Sequence, residues 1–135
     1  MKLLKNIILC LLSCTVLTCC EEFKHVNKLI DISNKSNRDI VVIGSINYPD
    51  TLYPLKHGDL GCFIPTGKTG SLNSDEFSRN DVFKNTKFQI FFVTYTIKYT
   101  TPPDTIRKYK MYEKRLEFTK SELEERSWHI MYGGK

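Results

Sequence analysis

The sequence predicts a mainly β domain of the α+β class, built as an antiparallel sheet or β-sandwich with one or two short helices. Residues 29–33 and 40–48 are rich in β-branched side chains and flank a polar turn, which is typical of a β-hairpin. Residues 88–100 alternate in hydropathy and form the strongest candidate strand. Glycines and prolines interrupt residues 52–73 so often that only short strands fit there. Two helix-capping sequences further along the chain account for the helices.

The first residues have the layout of an export signal and not of a folded element. Lys2 and Lys5 precede residues 7–18, a stretch that contains no charged side chain. A membrane-spanning helix needs roughly 20 apolar residues, so this stretch is too short for a permanent anchor. Cys19 and Cys20 stand where the stretch meets water, and a thiol in that position can accept a lipid.

This junction resembles the lipobox of bacterial lipoprotein precursors, which reads Leu, a small residue, a smaller residue and then the modified Cys. Leu17 and Thr18 match the pattern, whereas Cys19 stands where Gly, Ala or Ser is usual. Cys19 and Cys20 are therefore both candidates for lipidation, with Cys14 as a third, and Cys20 is favoured.

The residues after the cysteine pair indicate where such a lipoprotein would reside. Glu21 and Glu22 look like the acidic export signal of surface lipoproteins in Bacteroidota-type bacteria, which implies an outer-membrane location facing the cell exterior. The periplasmic face of that membrane is the alternative. An ordinary cleaved signal would instead leave the protein free in the periplasm.

The predicted organisation has three parts: a signal peptide over residues 1–19, a tether over residues 20–27 and a single mostly β domain over residues 28–135. The 116 residues that follow position 19 are a normal size for one domain. They carry 18 basic and 15 acidic residues, a slight excess of +3, without a recognisable nucleic-acid-binding module. Nucleic acid is therefore not among the predicted partners. The domain's one cysteine is Cys62, so it cannot form an internal disulfide.

The first half of the domain is predicted to consist of a hairpin followed by short elements. The polar residues 34–39 form the hairpin turn between the two β-branched runs. Residues 62–64 and 71–72 are the short strands expected in the segment rich in glycine and proline. Residues 74–77 and 81–83 are predicted to form helical turns, because acidic residues favour such positions.

Residues 88–100 are predicted to form a central strand that is covered on both faces at its start and solvated at its end. Thr101 is the predicted cap of a short basic helix, with Pro102 and Pro103 in its first turn and Asp104 in the capping-box position. The predicted inner stripe of that helix comprises Ile106, Tyr109, Met111 or Tyr112, and Leu116.

The last elements are a strand around residues 116–118, a short helix and a closing strand. Thr119 and Glu122 form a second capping box ahead of the helix. The closing strand covers residues 128–132, with alternate apolar side chains facing inward.

This element order resembles a group of small Bacteroidota lipoproteins, and the resemblance covers most of the mature chain. It rests on the sequence Asn47-Tyr48-Pro49-Asp50-Thr51, on an aromatic strand before a Lys-rich helix, and on a Thr-x-x-Glu-Leu turn that leads into Trp128-x-Ile130-x-Tyr132. The resemblance implies a shared fold and no particular activity.

Few residues have the spacing that catalysis requires. Cys62 could act as a thiol nucleophile with His57 as its base and Asp59 orienting the imidazole. However, the side chains of residues this close in a turn-rich segment rarely contact each other. A small buried cysteine without a catalytic role is the commoner case. His25, His57 and His129 lack ligand-like spacing, so neither a metal nor a cofactor is predicted. Residues 67–69, Gly-Lys-Thr, end like a phosphate-binding loop without its first glycine and predict a plain turn.

The predicted partner contacts lie on the basic helix. Lysine and arginine side chains interleaved with tyrosines suit an anionic glycan, a lipid headgroup or an acidic partner, although a solvated helix face has the same composition. The residues concerned are Arg107, Lys108, Tyr109, Lys110 and Tyr112.

The predicted function is that of a lipid-anchored envelope protein with a non-enzymatic binding role, attached to the membrane through its N-terminal lipid. Its partner is an unidentified protein or glycan, contacted by the basic helix or by loops between Tyr48 and Lys68. Two alternatives stay open. One is an envelope enzyme that uses Cys62, and the other is a protective lipoprotein that neutralises a toxin.

Overall fold

The structure, a computed structural model, describes residues 26–46, 48, 50, 53–54, 60–75, 78–83 and 86–134. The predicted signal peptide, the lipidation candidates Cys14, Cys19 and Cys20, and nearly all of the predicted tether lie outside these ranges. So do His25, His57, Asp59 and most of the motif at residues 47–51.

The described residues form seven strands, three short α-helices and one turn of 3-10 helix at Asp81–Phe83. The prediction of a mainly β, α+β fold is thereby confirmed. The strands are β1 (Asn27–Asn34), β2 (Ile40–Ser45), β3 (Gly61–Ile64), β4 (Thr69–Ser74), β5 (Phe88–Thr94), β6 (Lys114–Phe118) and β7 (His129–Tyr132); the helices are α1 (Tyr95–Thr100), α2 (Pro103–Tyr109) and α3 (Lys120–Glu125).

The strands divide into two sheets. The first has the order β4-β1-β7, in which β1 is antiparallel to β4 and parallel to β7. The second is antiparallel throughout, in the order β3-β2-β5-β6. A core of buried side chains from both sheets joins them, and it includes Ile30, Ile32 and Ile130 from the first and Val42, Ile90 and Phe92 from the second.

The predicted hairpin between the first two strands is wrong. Both β1 and β2 form strands as expected, but each is central in a different sheet, with a ladder on either side. The side chain of Asn34 redirects the chain between them: its amide donates to the carbonyls of Arg38 at 2.8 Å and Ile64 at 3.1 Å, and its oxygen accepts from the Ser36 amide at 3.0 Å. Because Asn34 is fully buried, these bonds offset the cost of its burial and fix the crossover.

The prediction of one long strand over residues 88–100 is wrong in its second half. Strand β5 ends at Thr94, and α1 begins at Tyr95, although tyrosine, threonine and isoleucine usually favour strands. The Thr94 hydroxyl accepts a hydrogen bond from the amide of Ile97 and caps the helix. The predicted central position of β5 is confirmed, since it lies between β2 and β6 with both faces buried at its start.

The predicted cap of the basic helix is also wrong. The backbone amide of Thr101 donates to the carbonyl of Ile97 at 3.0 Å and closes α1. Helix α2 follows Pro102 without a side-chain cap and has Pro103 as its first residue, a position where a missing N–H costs nothing. Its C-cap is Lys110, which adopts a left-handed conformation with φ of 50°.

Several later predictions are confirmed. Thr119 and Glu122 form a reciprocal capping box at the start of α3. The closing strand β7 turns Ile130 and Tyr132 inward, with Trp128 packed partly buried against the core. The 65–68 turn is a plain turn, in which the Lys68 amide donates to the Pro65 carbonyl and Gly67 has a φ of 72° that only glycine adopts readily.

Candidate functional site

Helices α1 and α2 cover the outer face of the second sheet. A second apolar cluster lies beneath them, built from Val41 and Ile43 of β2, Phe91 and Val93 of β5, and Ile106 of α2. Ile97, Met111 and Tyr112 pack against this cluster from above. We call residues 95–112 the helical cover. The protein thus has three layers, and the outermost contains every predicted partner-contact residue.

Two of the predicted contact residues are engaged within the chain. The guanidinium of Arg107 donates to the Tyr53 carbonyl at 3.2 Å and to the Asp50 carboxylate at 3.1 Å. Tyr112 stacks on Tyr53 with ring centres 6.5 Å apart and meets the edge of Phe91 at 5.2 Å. Both side chains therefore hold the helical cover against the sheet, and their role in the fold is structural.

The other three predicted contact residues are exposed. Tyr109, predicted to face inward, is 65% exposed because α2 ends there and turns its ring to solvent. The Lys108 ammonium lies 5.2 Å from the centre of that ring, within the range of a cation–π contact. Lys108 and Lys110 make no ion pair within the part of the chain that the structure describes, so both charges face water.

An exposed aromatic ridge, which the sequence analysis did not predict, has two of its three members on the same helical cover. It consists of Phe63 on β3 and of Tyr95 and Tyr99 on α1, which are 44%, 47% and 63% exposed. The ring centres of Phe63 and Tyr95 are 5.1 Å apart, and those of Tyr95 and Tyr99 are 4.6 Å apart. The largest exposed apolar patch on a protein surface is often a binding surface.

The ridge lies at the end of the molecule opposite to the start of the domain. Strand β1 starts at Asn27, paired with Ser74, and reaches the crossover at Asn34 after seven steps, or roughly 23 Å. At that far end Ile40 faces Thr94, and the Tyr95 amide donates to the Asp39 carbonyl at 3.3 Å. We call this the distal end. The ridge is therefore held about one strand length away from the chain's entry into the fold.

A polar row lies on the outer face of the first sheet. The Ser33 hydroxyl is 2.7 Å from that of Thr69 and 2.8 Å from Nε2 of His129. Beside it, the Asp31 carboxylate accepts from the Ser71 hydroxyl and pairs with Lys28. Partial burial would raise the pKa of Asp31, but the hydrogen bonds from Lys28 and Ser71 outweigh that effect and lower it.

This row contains the residue types of a hydrolytic triad without the required arrangement. Ser33 is only 6% exposed, and its hydroxyl already bonds to that of Thr69. The carboxylate of Asp31 is occupied by Lys28 and Ser71. These bonds cross the β4-β1-β7 ladder, so their evident role is to hold the three strands together.

Cys62 sits in a partly buried position on β3. Its side chain packs against the core between the sheets, and its sulfur would lie only 2.8 Å from a Cβ placed on Gly70. Burial raises the pKa of the Cys62 thiol, although a hydrogen bond with the Ser71 backbone acts against this. A nucleophilic cysteine needs the opposite shift, since the thiolate is the reactive form.

We expect Cys62 to be modified slowly in the folded protein. At neutral pH, iodoacetamide should label the peptide containing Cys62 at least about tenfold more slowly in native protein than in urea-unfolded protein, because the thiol is partly buried and its raised pKa keeps it protonated. Mass spectrometry of that peptide gives the two rates. Fast labelling of the native protein would instead favour the enzyme alternative.

Neither a metal-binding cluster nor a membrane-spanning helix is found among the described residues. These residues contain no group of three or more His, Cys, Asp or Glu side chains that could hold a metal ion. None of their helices is long and apolar enough to cross a membrane.

Comparison with known proteins gives no relative from which a function could be transferred. No family model, no curated protein and no solved structure matches the chain.

Proposed function

We propose that the chain is a lipid-anchored cell-envelope protein, attached through Cys20, whose folded domain binds a partner without catalysing a reaction. The observation that carries the binding role is the distal aromatic ridge of Phe63, Tyr95 and Tyr99. Burying such side chains is favourable by about 25 cal/mol per Å² of apolar surface, so a partner that covers the ridge gains binding free energy there.

The position of the ridge supports this proposal. Six residues separate Cys20 from Asn27, and a chain of that length reaches at most about 25 Å. An anchor at Cys20 would therefore keep the start of β1 near the membrane. The distal end, one strand length further on, would face away from it and present the ridge outward.

The anchoring half of the proposal is tested by removing the thiol. Cys20→Ala should prevent labelling by palmitate and move most of the protein out of the membrane fraction, because the lipid attached to Cys20 is the proposed membrane anchor. Cys62→Ala is the matched control, since it removes a thiol from the folded domain and should leave labelling and fractionation unchanged. Palmitate labelling of the Cys20→Ala protein at the original level would contradict the proposal.

The binding half is tested on intact cells. Photo-crosslinking from a probe placed at Thr96, an exposed residue of α1 between the two ridge tyrosines, should give a defined adduct. Tyr95→Ala with Tyr99→Ala should abolish that adduct, whereas Met131→Ala, which removes an exposed side chain from β7, should not. An adduct unaffected by the double substitution would exclude the ridge as the binding surface.

A further inference from the structure

We infer that the aromatic ridge and the lysines of the helical cover bind an acidic polysaccharide, an inference that rests on the proposed binding function and names its ligand. The faces of aromatic rings carry partial negative charge, and the C–H groups on the flat side of a sugar ring are weakly positive. The two pack well against each other. Tyr95 and Tyr99 add hydroxyl groups that can bond to sugar hydroxyls at the edge of such a contact.

The spacing of the ridge suits a chain of sugars. Its ring centres follow one another at 5.1 and 4.6 Å, about the length of one sugar ring along a polysaccharide. The rings are inclined to each other by 62° and 45°, so they form a curved track and not a single flat platform. Successive sugars of a twisted chain could each contact one ring.

The area of the ridge argues against a protein partner. A fully covered Phe or Tyr side chain buries about 150–250 Å², so the exposed fractions of Phe63, Tyr95 and Tyr99 leave roughly 300 Å² to cover. A stable protein interface covers about 800 Å² on each partner. The lysines of the helical cover do not make up the difference, since lysine is depleted at such interfaces. A narrow chain needs no more surface than the ridge provides.

The charged side chains of the helical cover favour an acidic glycan over a neutral one. The helical cover contains four lysine or arginine residues and one acidic residue, Asp104. Arg107 is neutralised by Asp50, but Lys108 and Lys110 face water without an ion pair in the described residues. Their ammonium groups, on the same helical cover as Tyr95 and Tyr99, favour a carboxylate-bearing ligand. Attraction between exposed charges is screened beyond the Debye length, which is about 10 Å in 0.1 M salt and shortens as salt is added. We therefore expect salt-sensitive binding.

The test uses the full-length protein in detergent and three acidic polysaccharides: polygalacturonate, alginate and hyaluronate. Methyl-esterified polygalacturonate is the neutral control, because it has the same backbone without the charge. We expect at least one acidic polymer to bind at least tenfold more tightly than the neutral control, measured by calorimetry at low salt, and to lose most of that affinity at high salt.

Two sets of variants locate the surface. Tyr95→Ala with Tyr99→Ala should weaken binding at least tenfold, and Met131→Ala should not change it. Lys108→Ala with Lys110→Ala should weaken binding and flatten its salt dependence, whereas Lys120→Ala, which removes a charge from the exposed surface of α3, should do neither. Circular dichroism confirms that each variant is folded.

The outcomes separate this inference from the proposed function. Failure of all three acidic polymers, equal binding of the esterified form, or tighter binding of single-stranded oligonucleotide would each overturn the inference. If the ridge-dependent adduct on cells survives such a failure, the binding function stands with a different ligand. If that adduct also fails to depend on the ridge, the proposed function falls with the inference.

Discussion

Phe92→Ala is expected to lower the free energy of unfolding by about 3–5 kcal/mol, the range seen when a buried aromatic side chain is truncated. Phe92 is fully buried in the core between the two sheets. Its ring stacks on Tyr132 of the opposite sheet, with ring centres 4.3 Å apart and planes inclined by 9°. The substitution therefore opens a cavity at the contact that joins the sheets.

The size of this effect is large relative to the stability of a small domain, which is about 5–15 kcal/mol in total. Urea denaturation followed by circular dichroism measures it, as a shift of the midpoint at unchanged slope. Tyr99→Ala is the matched control: it also truncates an aromatic ring, but one that is 63% exposed, and should change the free energy by no more than about 0.5 kcal/mol. A loss below 1 kcal/mol for Phe92→Ala would contradict the described packing.

The sequence predicted those parts of the fold that depend on neighbouring residues. The capping box of Thr119 and Glu122 involves groups three residues apart, and both of its bonds are present. The alternation of buried and exposed side chains in β7 and the burial of both faces at the start of β5 were also predicted correctly, because successive side chains of a strand point to opposite faces of the sheet.

The errors arose where distant residues decide the structure. Nothing near Asn34 reveals that its amide will bond to the carbonyl of Ile64, 30 residues away, and send the chain into a second sheet. Strand propensity over residues 95–100 was overridden by the Thr94 cap and by the packing of Ile97 on the second apolar cluster. Propensity is a weak guide where tertiary contacts compete with it.

The candidate site was predicted only in part for the same reason. Composition identified the basic helix, but Arg107 and Tyr112 serve the fold through Tyr53, a partner more than 50 residues away. The aromatic ridge was missed because the predicted extended strand would place Ile97 between Tyr95 and Tyr99 on one face of the sheet. In a helix, Tyr95 and Tyr99 become neighbours one turn apart, and Phe63 reaches them from β3.

Stability should fall as the pH rises above about 10, because two buried tyrosines must stay protonated in the folded protein. Burial raises the pKa of Tyr53 to about 12. Burial also raises the pKa of Tyr132, and the hydrogen bond that its hydroxyl donates to Glu113 adds to the effect. Each phenol ionises near pH 10 in the unfolded chain.

The sign of this pH dependence follows from which state, folded or unfolded, keeps the phenolic protons. Below pH 10 both states keep the phenolic protons, and stability is independent of these groups. Above pH 10 the unfolded chain releases them while the folded protein retains them, so rising pH favours unfolding. At about 1.36 kcal/mol per unit of pKa difference, Tyr53 alone should account for a loss of roughly 2–3 kcal/mol between pH 10 and pH 12.

Urea denaturation at several pH values between 8 and 12 measures this loss, and single substitutions assign it. Tyr53→Phe keeps the ring that meets the edge of Phe91 at 5.5 Å but cannot ionise, so its stability should fall less steeply above pH 10 than that of the unchanged protein. Tyr132→Phe should likewise make stability fall less steeply with pH. It also removes the hydrogen bond to Glu113, so this variant should already be less stable than the unchanged protein at pH 8. The two variants thus differ at pH 8 and agree in slope at pH 11. Equal slopes in all three proteins would contradict the burial of both hydroxyls and the packing of Tyr53 against the helical cover.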